Sequence, residues 1–499
     1  MDLLLLLFIP LVTAAAVLVC PGHKAVRATA LIGSILQLIC VAYIFRTYMD
    51  LRAAGHTEPM LLQFNRPWFT SLHIQFHVGI DGISLAMIVL TALVVMAGIL
   101  VSWQVQERSK EFFFLLVLLS VGAYGFFMAL DLFTLFFFLE IAVIPKFLLI
   151  GIWGSGKKEY SAMKLALMLM AGSALVFVGL VGIYFHAGAG TGGFDWISLS
   201  SQRLPPAMQH FFFPFIFVGF GIFAALFPFH TWVPDGHASA PTAASMFLAG
   251  ISMKLGGYGC LRVAVMLMPD AAVTYAPVII LLSTIAIIYG AFATMMQQDL
   301  KYINAYSSVS HCGFVLLGIG MLTQTSINGA VMQMVSHGLM TALFFAAIGM
   351  IYDRTHTRML KDLGGLLKVL PFISTVFVIA GLCSLGLPGL SGFAAEVTVF
   401  MGAWQNPGKW YRLATILACA SIVVTAVYIL RAVGQTVMGP LNKDRYSGLV
   451  DARWNEKWAT VMLVLAIVLI GVAPFLLTSL IGPGTDNIMT QIQKAIAQH

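Results

Sequence analysis

The stretch "FPFHTWVPDGHASAPT", residues 227–242, interrupts a chain that is otherwise mostly hydrocarbon. Pro228, Pro234 and Pro241 deny it a continuous helix, because each proline lacks an amide donor and its ring clashes with the preceding turn. Apolar runs flank it at 208–228 and 241–267. Broken backbone at membrane depth persists only where protein or a water-filled cavity satisfies its polar groups. The stretch therefore reads as an interrupted spanning helix enclosed by other helices.

The rest of the chain agrees. Of its 499 residues, 60% are hydrophobic and only 9% charged, with a mean hydropathy of +0.93. Such a composition excludes a soluble domain and gives an all-α polytopic membrane protein. A spanning helix needs about 20 mostly apolar residues. Fourteen windows qualify, at 2–20, 28–46, 83–103, 112–130, 132–153, 161–186, 208–228, 241–267, 275–296, 304–322, 327–352, 369–403, 411–438 and 458–481. The twelfth is also broken, by Pro388 within "GLPGLSGF". Breaks in the seventh and twelfth spans, five apart, are what an inverted repeat produces, although no sequence repeat is visible. The expected organisation is one membrane domain over 1–499. It comprises helices 1–3 with an outer loop (1–111), a first five-helix unit (112–267), a second (275–438) and helix 14 (458–481).

The formal charge of +7 is no nucleic-acid signal, because the basic residues sit in short loops between apolar runs. Fifteen Lys and Arg residues follow odd-numbered spans, from Lys24 to Lys457, and five follow even-numbered spans (Arg52, Arg66, Arg203, Lys409 and Arg412). The positive-inside rule then places the odd loops in the cytoplasm and both termini outside a bacterial inner membrane. The N-terminus lacks a basic region ahead of its apolar run and reads as a first helix. Segment 47–80 is expected to lie along the outer face.

Ionisable groups inside spans carry the chemistry. A charge at the bilayer centre costs at least about 2.5–3.5 kcal/mol on insertion scales. Those found are Glu140 and Lys146 in the fifth span ("FFFLEIAVIPKFLLIGIW"), Lys254 in the eighth, His311 in the tenth, His337 in the eleventh and Glu396 in the twelfth. Arg431 in the thirteenth is a weaker case. Acids and bases on separate helices, each tuning the next group's proton affinity, are what a proton relay requires. Structural readings compete: a fixed ion pair at Glu140, core histidines at 311 and 337, a helix cap at Glu396. Lys164 and Lys301 lie near the cytoplasmic ends, where snorkelling would remove them from the relay. His230 and Asp235 lie in the break, as an access route or a polar contact.

No cofactor is expected in this chain. It has no G-x-x-x-x-G-K-[ST] and no dinucleotide-binding G-x-G-x-x-G. Six scattered cysteines without C-x-x-C hold no metal. Redox chemistry belongs to partner chains.

Four segments, "FPFHTWVPDGHASAPTAASMFLAGISMKLGGYG" (227–259), "DLKYINAYSSVSHCGFVLLG" (299–318), "VSHGLMTALFF" (335–345) and "GLPGLSGFAAE" (386–396), resemble the antiporter-like subunits of respiratory complex I, and the M type most. The resemblance implies two inverted five-helix repeats and proton translocation driven by quinone reduction elsewhere. It also implies L-type and N-type membrane subunits as partners beside the lipid bilayer. Residue by residue it places Glu140, Lys254, His311, His337 and Glu396 in the relay. The run after the fourteenth span is too short for an L-type lateral helix. Subunits of multisubunit Na⁺/H⁺ antiporters and of membrane-bound hydrogenases share these motifs, and a spacer without pumping is a further alternative.

One departure is sharp. The family carries a seventh-helix lysine where this chain has Phe223, and no basic residue lies anywhere in Phe211–Phe229. Lys146 occupies a fifth-helix place that is more often apolar in the family. The expectation is that the base has moved, with Lys146 serving as proton carrier and partner of Glu140. Six residues separate the two by about 9 Å and roughly 120° around a helix, so direct pairing would need a water or a kink at Pro145.

Overall fold

The computed structural model describes residues 2–188, 193–202, 204–441, 446 and 448–497. Arg203, Lys443 and Arg445, used in the charge count, lie outside them. Among the described residues, eleven helices are long and apolar enough to cross a membrane. They coincide with the first to seventh, ninth, eleventh, thirteenth and fourteenth expected spans.

The other three positions are helical in less regular ways. The eighth span consists of Thr242–Phe247, a π turn at Leu248–Ser252, Met253–Gly259 and a second π turn at Cys260–Val265. The tenth is a regular helix, Leu300–Gly320, diluted by serines and Asn304. The twelfth is two half-helices, Pro371–Ser384 and Ser391–Trp404.

The two breaks close alike. After Pro206–Phe223, Ala225 adopts φ 59°, its N–H meets Ile222 O at 3.2 Å and Leu226 N–H meets Gly221 O at 2.8 Å. After Pro371–Ser384, Gly386 adopts φ 75°, its N–H meets Cys383 O at 3.1 Å and Leu387 N–H meets Leu382 O at 3.0 Å. Both are Schellman terminations, which satisfy carbonyls that a cut helix would leave bare. Proline then prevents continuation, at Pro228 and Pro388.

Three aspartates start spans by capping. Asp81 accepts from Ser84 N at 2.9 Å, Asp131 from Thr134 N at 2.9 Å and Asp299 from Lys301 N at 2.8 Å. The eleventh span, Gln324–Thr355, is the hub, and its apolar window is wholly buried. It packs on both halves of the twelfth span and on the tenth, third and fourteenth. Where it crosses the eighth, Gly250 and Gly338 meet back to back. A Cβ on Gly338 would lie 2.8 Å from Gly250 O, so larger side chains there would push the helices apart.

Segment 47–80 does not cross: it contains an antiparallel hairpin, Leu61–Phe69 with Ile74–Ile80, after the second span has run on to Ala53, and two other expectations need correction. The hairpin sits where the fourth and fifth spans meet, through Leu130 N–H to His77 O at 2.8 Å and Gln75 N–H to Asp131 at 3.1 Å. Beside it, His77 Nδ1 lies 2.8 Å from Asp195. Burial pushes the Asp195 carboxyl up, but hydrogen bonding to His77 and Ser198 outweighs it and holds the group below its ordinary range.

The fourteenth span is not 458–481 but Trp454–Val472. Pro474 cannot continue it and instead starts a separate amphipathic helix, Pro474–Ile496. Its buried face, including Leu480, Gly484 and Ile488, packs on the third and eleventh spans. Lys301, lastly, does not snorkel. It is buried and donates to Ala240 O at 2.7 Å, a carbonyl exposed by the bend before Pro241.

Candidate functional site

Lys254 is buried in the eighth span directly after the first π turn. Its Nζ donates to Ala249 O at 2.5 Å, within that turn, and lies 2.7 Å from His337 Nδ1. Single π turns re-aim a helix face, and this one supplies the amine with an acceptor. The Gly250–Gly338 crossing explains the contact with His337, because only bare backbones approach so closely.

A lysine donating to Nδ1 requires the His337 proton on Nε2. That atom is buried and has no hydrogen-bond partner among the described residues. The His311 ring stands 5.3 Å from the His337 ring, centroid to centroid. His311 Nδ1 in turn lies 3.4 Å from Glu396 Oε1 and 3.3 Å from Gln333 Nε2, and its Nε2 lies 3.1 Å from Ser384 Oγ. Lys254, His337, His311 and Glu396 thus form one row across the eighth, eleventh, tenth and twelfth spans. All four are buried.

The row is suited to proton exchange. His311 Nδ1 can accept from the Gln333 amide or, once protonated, donate to Glu396. In both states the other ring nitrogen, Nε2, carries a proton and donates to Ser384 Oγ. Gln333 Oε1 is buried without a partner among the described residues, so turning the amide over offers an acceptor when Nδ1 gains its proton. Gly386 at the break makes room for the acid: a Cβ there would lie 2.7 Å from Glu396 Oε2.

The fifth-span pair is different. Lys146 is fully buried and its Nζ has no hydrogen-bond partner among the described residues. Glu140 is half-buried, with Oε1 buried and unpartnered. The helix Leu132–Trp153 continues through Pro145, and the two side chains do not form an ion pair. Instead, the Lys146 ammonium lies 6.0 Å from the centroid of the Phe223 ring.

Of the other residues singled out, Arg431 is a helix cap. It donates to Met295 O at 2.6 Å and Gln297 O at 2.8 Å, carbonyls at the end of the ninth span. Asp235 pairs with Lys164 at 2.7 Å. It also lines a cavity of about 590 Å³ with Lys157, Tyr160, Ser161, Tyr302 and Arg358, on the side of the odd-numbered loops. His230 is buried between the rings of Phe227 and Tyr289.

Three side chains of the site were missed by sequence reading. Gln333 stands one turn before His337, an i,i+4 spacing that marks a shared face. Ser384 closes the first half of the broken twelfth span. His237, in the short helix Trp232–Ser239 of the seventh-span break, is fully buried beside Phe345. Neither of its ring nitrogens has a partner among the described residues. The repeated His in "HTWVPDGH" was its only signal.

A family model described as NADH:quinone oxidoreductase/Mrp antiporter, TM, matches residues 129–425, which include the whole row and both breaks. The chain belongs to this family. An NAD(P)H-quinone oxidoreductase chain 4-2 of Synechocystis sp. is 34% identical to it, over 98% of this chain and 92% of the relative. A chain 4 2 of Microcystis aeruginosa is 37% identical, over 91% and 82%. Among solved structures, respiratory complex I from Thermus thermophilus with bound NADH contains a chain of the same fold. The TM-score is 0.89 at 26% identity, covering 99% of this chain and all of the other. The helical core of this chain, with its broken seventh and twelfth spans, shares that fold.

Proposed function

We propose that this chain is a proton-translocating membrane-arm subunit of a complex I-type NAD(P)H–quinone oxidoreductase, itself free of redox centres. The observation that carries this reading is the buried row Lys254–His337–His311–Glu396, in which each group is able to hold a proton and neighbours lie 2.7 Å apart (Lys254–His337), in tilted ring contact at 5.3 Å (His337–His311) and 3.4 Å apart (His311–Glu396). The 590 Å³ cavity at Asp235 is the cytoplasmic access, and His237 lies on the same broken segment, between that access and the eighth span. A proton taken up there reaches Lys254, passes to His337 as the ammonium becomes an amine, and continues through His311 to Glu396. The matched Schellman breaks are read as halves of an inverted repeat comprising spans 4–8 and 9–13. The odd-loop charge bias puts both termini outside, and the adjoining chains are L-type and N-type antiporter-like subunits in a bacterial inner membrane.

The test uses the purified complex containing this chain, reconstituted in proteoliposomes, with lumen pH followed during quinone reduction. The expected result is a pH gradient that forms equally with and without Na⁺. A gradient that requires Na⁺ supports the antiporter reading instead.

A further inference from the structure

The fifth-span lysine and the seventh-span phenylalanine share one pocket. Lys146 Nζ lies 6.0 Å from the Phe223 ring centroid, and both side chains are buried. The ring edge also abuts the sixth span: a Cβ on Gly172 would stand 3.3 Å from Phe223 Cε2. The backbone of Phe223 packs against the eighth span, where a Cβ on Gly256, two residues beyond Lys254, would stand 2.8 Å from Phe223 C. The pocket is therefore walled by the fifth, sixth, seventh and eighth spans. Its one amine has no hydrogen-bond partner among the described residues, and no ion pair fixes it.

These contacts say how the amine is held. A carboxylate at hydrogen-bond distance would lock it as an ammonium. An aromatic face attracts a cation but donates and accepts no proton. Glu140, one and a half turns away with an unpartnered buried oxygen, acts as counter-charge without a bond. An ammonium stabilised only this far gives its proton up readily, as a relay base must and a structural lysine need not.

We propose that Lys146 and Phe223 form a one-amine proton-loading site. Lys146 carries the exchangeable proton, the Phe223 ring steadies the ammonium, and Glu140 balances its charge at a distance. The site takes one proton at Nζ and releases that same proton toward Lys254, and no bond but N–H forms or breaks. The pocket accepts a single amine, supplied from either the fifth or the seventh helix. This inference rests on the proton-translocation reading above.

The experiment compares the reconstituted complex bearing Lys146→Met, Lys146→Arg, Phe223→Lys and Lys146→Met with Phe223→Lys, each scored as protons moved per quinone reduced, with Lys254→Met as control. Lys146→Arg keeps the charge but cannot discharge it. Losses of about 10²-fold in this subunit's share of the protons moved are expected for Lys146→Met and Lys146→Arg, the low end for a missing acid–base group. Phe223→Lys alone is also expected to fail, because two ammonium groups then face each other. The double variant should return to within about threefold of wild type, since one amine again occupies the pocket. Wild-type pumping by Lys146→Met or Lys146→Arg, with pumping lost in Lys254→Met, overturns the loading site and leaves the translocation reading intact. Wild-type pumping by Lys254→Met overturns the reading itself.

Discussion

Lys254→Met is expected to reduce proton translocation through this subunit by about 10²-fold or more, the scale on which a positioned acid–base group contributes, while the complex still assembles and loses only this subunit's share of protons per electron. Methionine has nearly the length of lysine and fills the same path between Ala249 and His337. The substitution therefore removes the proton site without opening a cavity, and burying an apolar side chain here costs less than burying an amine. The lost contacts are the bonds to Ala249 O and His337 Nδ1. The histidine then keeps its neutral form but has no donor, and the row ends at the eleventh span. Proton-driven pH change in proteoliposomes, beside blue-native electrophoresis for assembly, reads both parts of the expectation. Assembly without pumping supports it, and normal pumping refutes it.

Glu396→Gln carries the second large effect, again a loss of about 10²-fold in translocation through this subunit. The carboxylate is the only acid in the row and lies 3.4 Å from His311 Nδ1. Glutamine preserves the volume beside Gly386 and still offers an oxygen to that nitrogen, so a purely structural cap would survive the change. It cannot take up the proton that His311 releases. Glu396→Asp shortens the arm by one methylene and should retain intermediate activity, because the acid survives at a longer distance. If Glu396→Gln pumps as well as wild type, the acid acts only on helix packing. The same proteoliposome assay decides it.

Much of this was legible in the sequence because the membrane makes each charge conspicuous. Lys254, His311, His337 and Glu396 are ionisable or polar in apolar runs, and the three prolines after Phe227 mark the break without any structure. What the sequence could not order was their adjacency. Lys254 and His337 are 83 residues apart, and the contact depends on Gly250 and Gly338 meeting, a matter of helix crossing that no local pattern specifies. Gln333 was overlooked because a neutral amide in an apolar helix costs far less than a charge. His237 escaped notice among polar break residues, although its burial is as complete as that of Lys146.

The errors have physical causes too. The non-crossing segment at 47–80 was legible, but not its hairpin, because span-length apolar runs carry no signal of the period-two alternation of strands. Pro474 was absorbed into a hydropathy window that is indifferent to helix breakers. The 120° offset between Glu140 and Lys146 was legible from their spacing; what no spacing along one helix specifies is that Lys146 meets an aromatic ring on a neighbouring span.

The central claim is that protons cross this subunit along the row from Lys254 to Glu396, and His337 is its middle link. The most direct measurement is the proton-to-electron ratio of the reconstituted complex with His337→Leu, which cuts the row and leaves Lys254 and Glu396 ionisable at either end. The row predicts that protons moved per electron fall by the full contribution of this subunit, matching Lys254→Met. A ratio equal to wild type in His337→Leu, while Lys254→Met loses it, would contradict the claim and send the proton from Lys254 by another route.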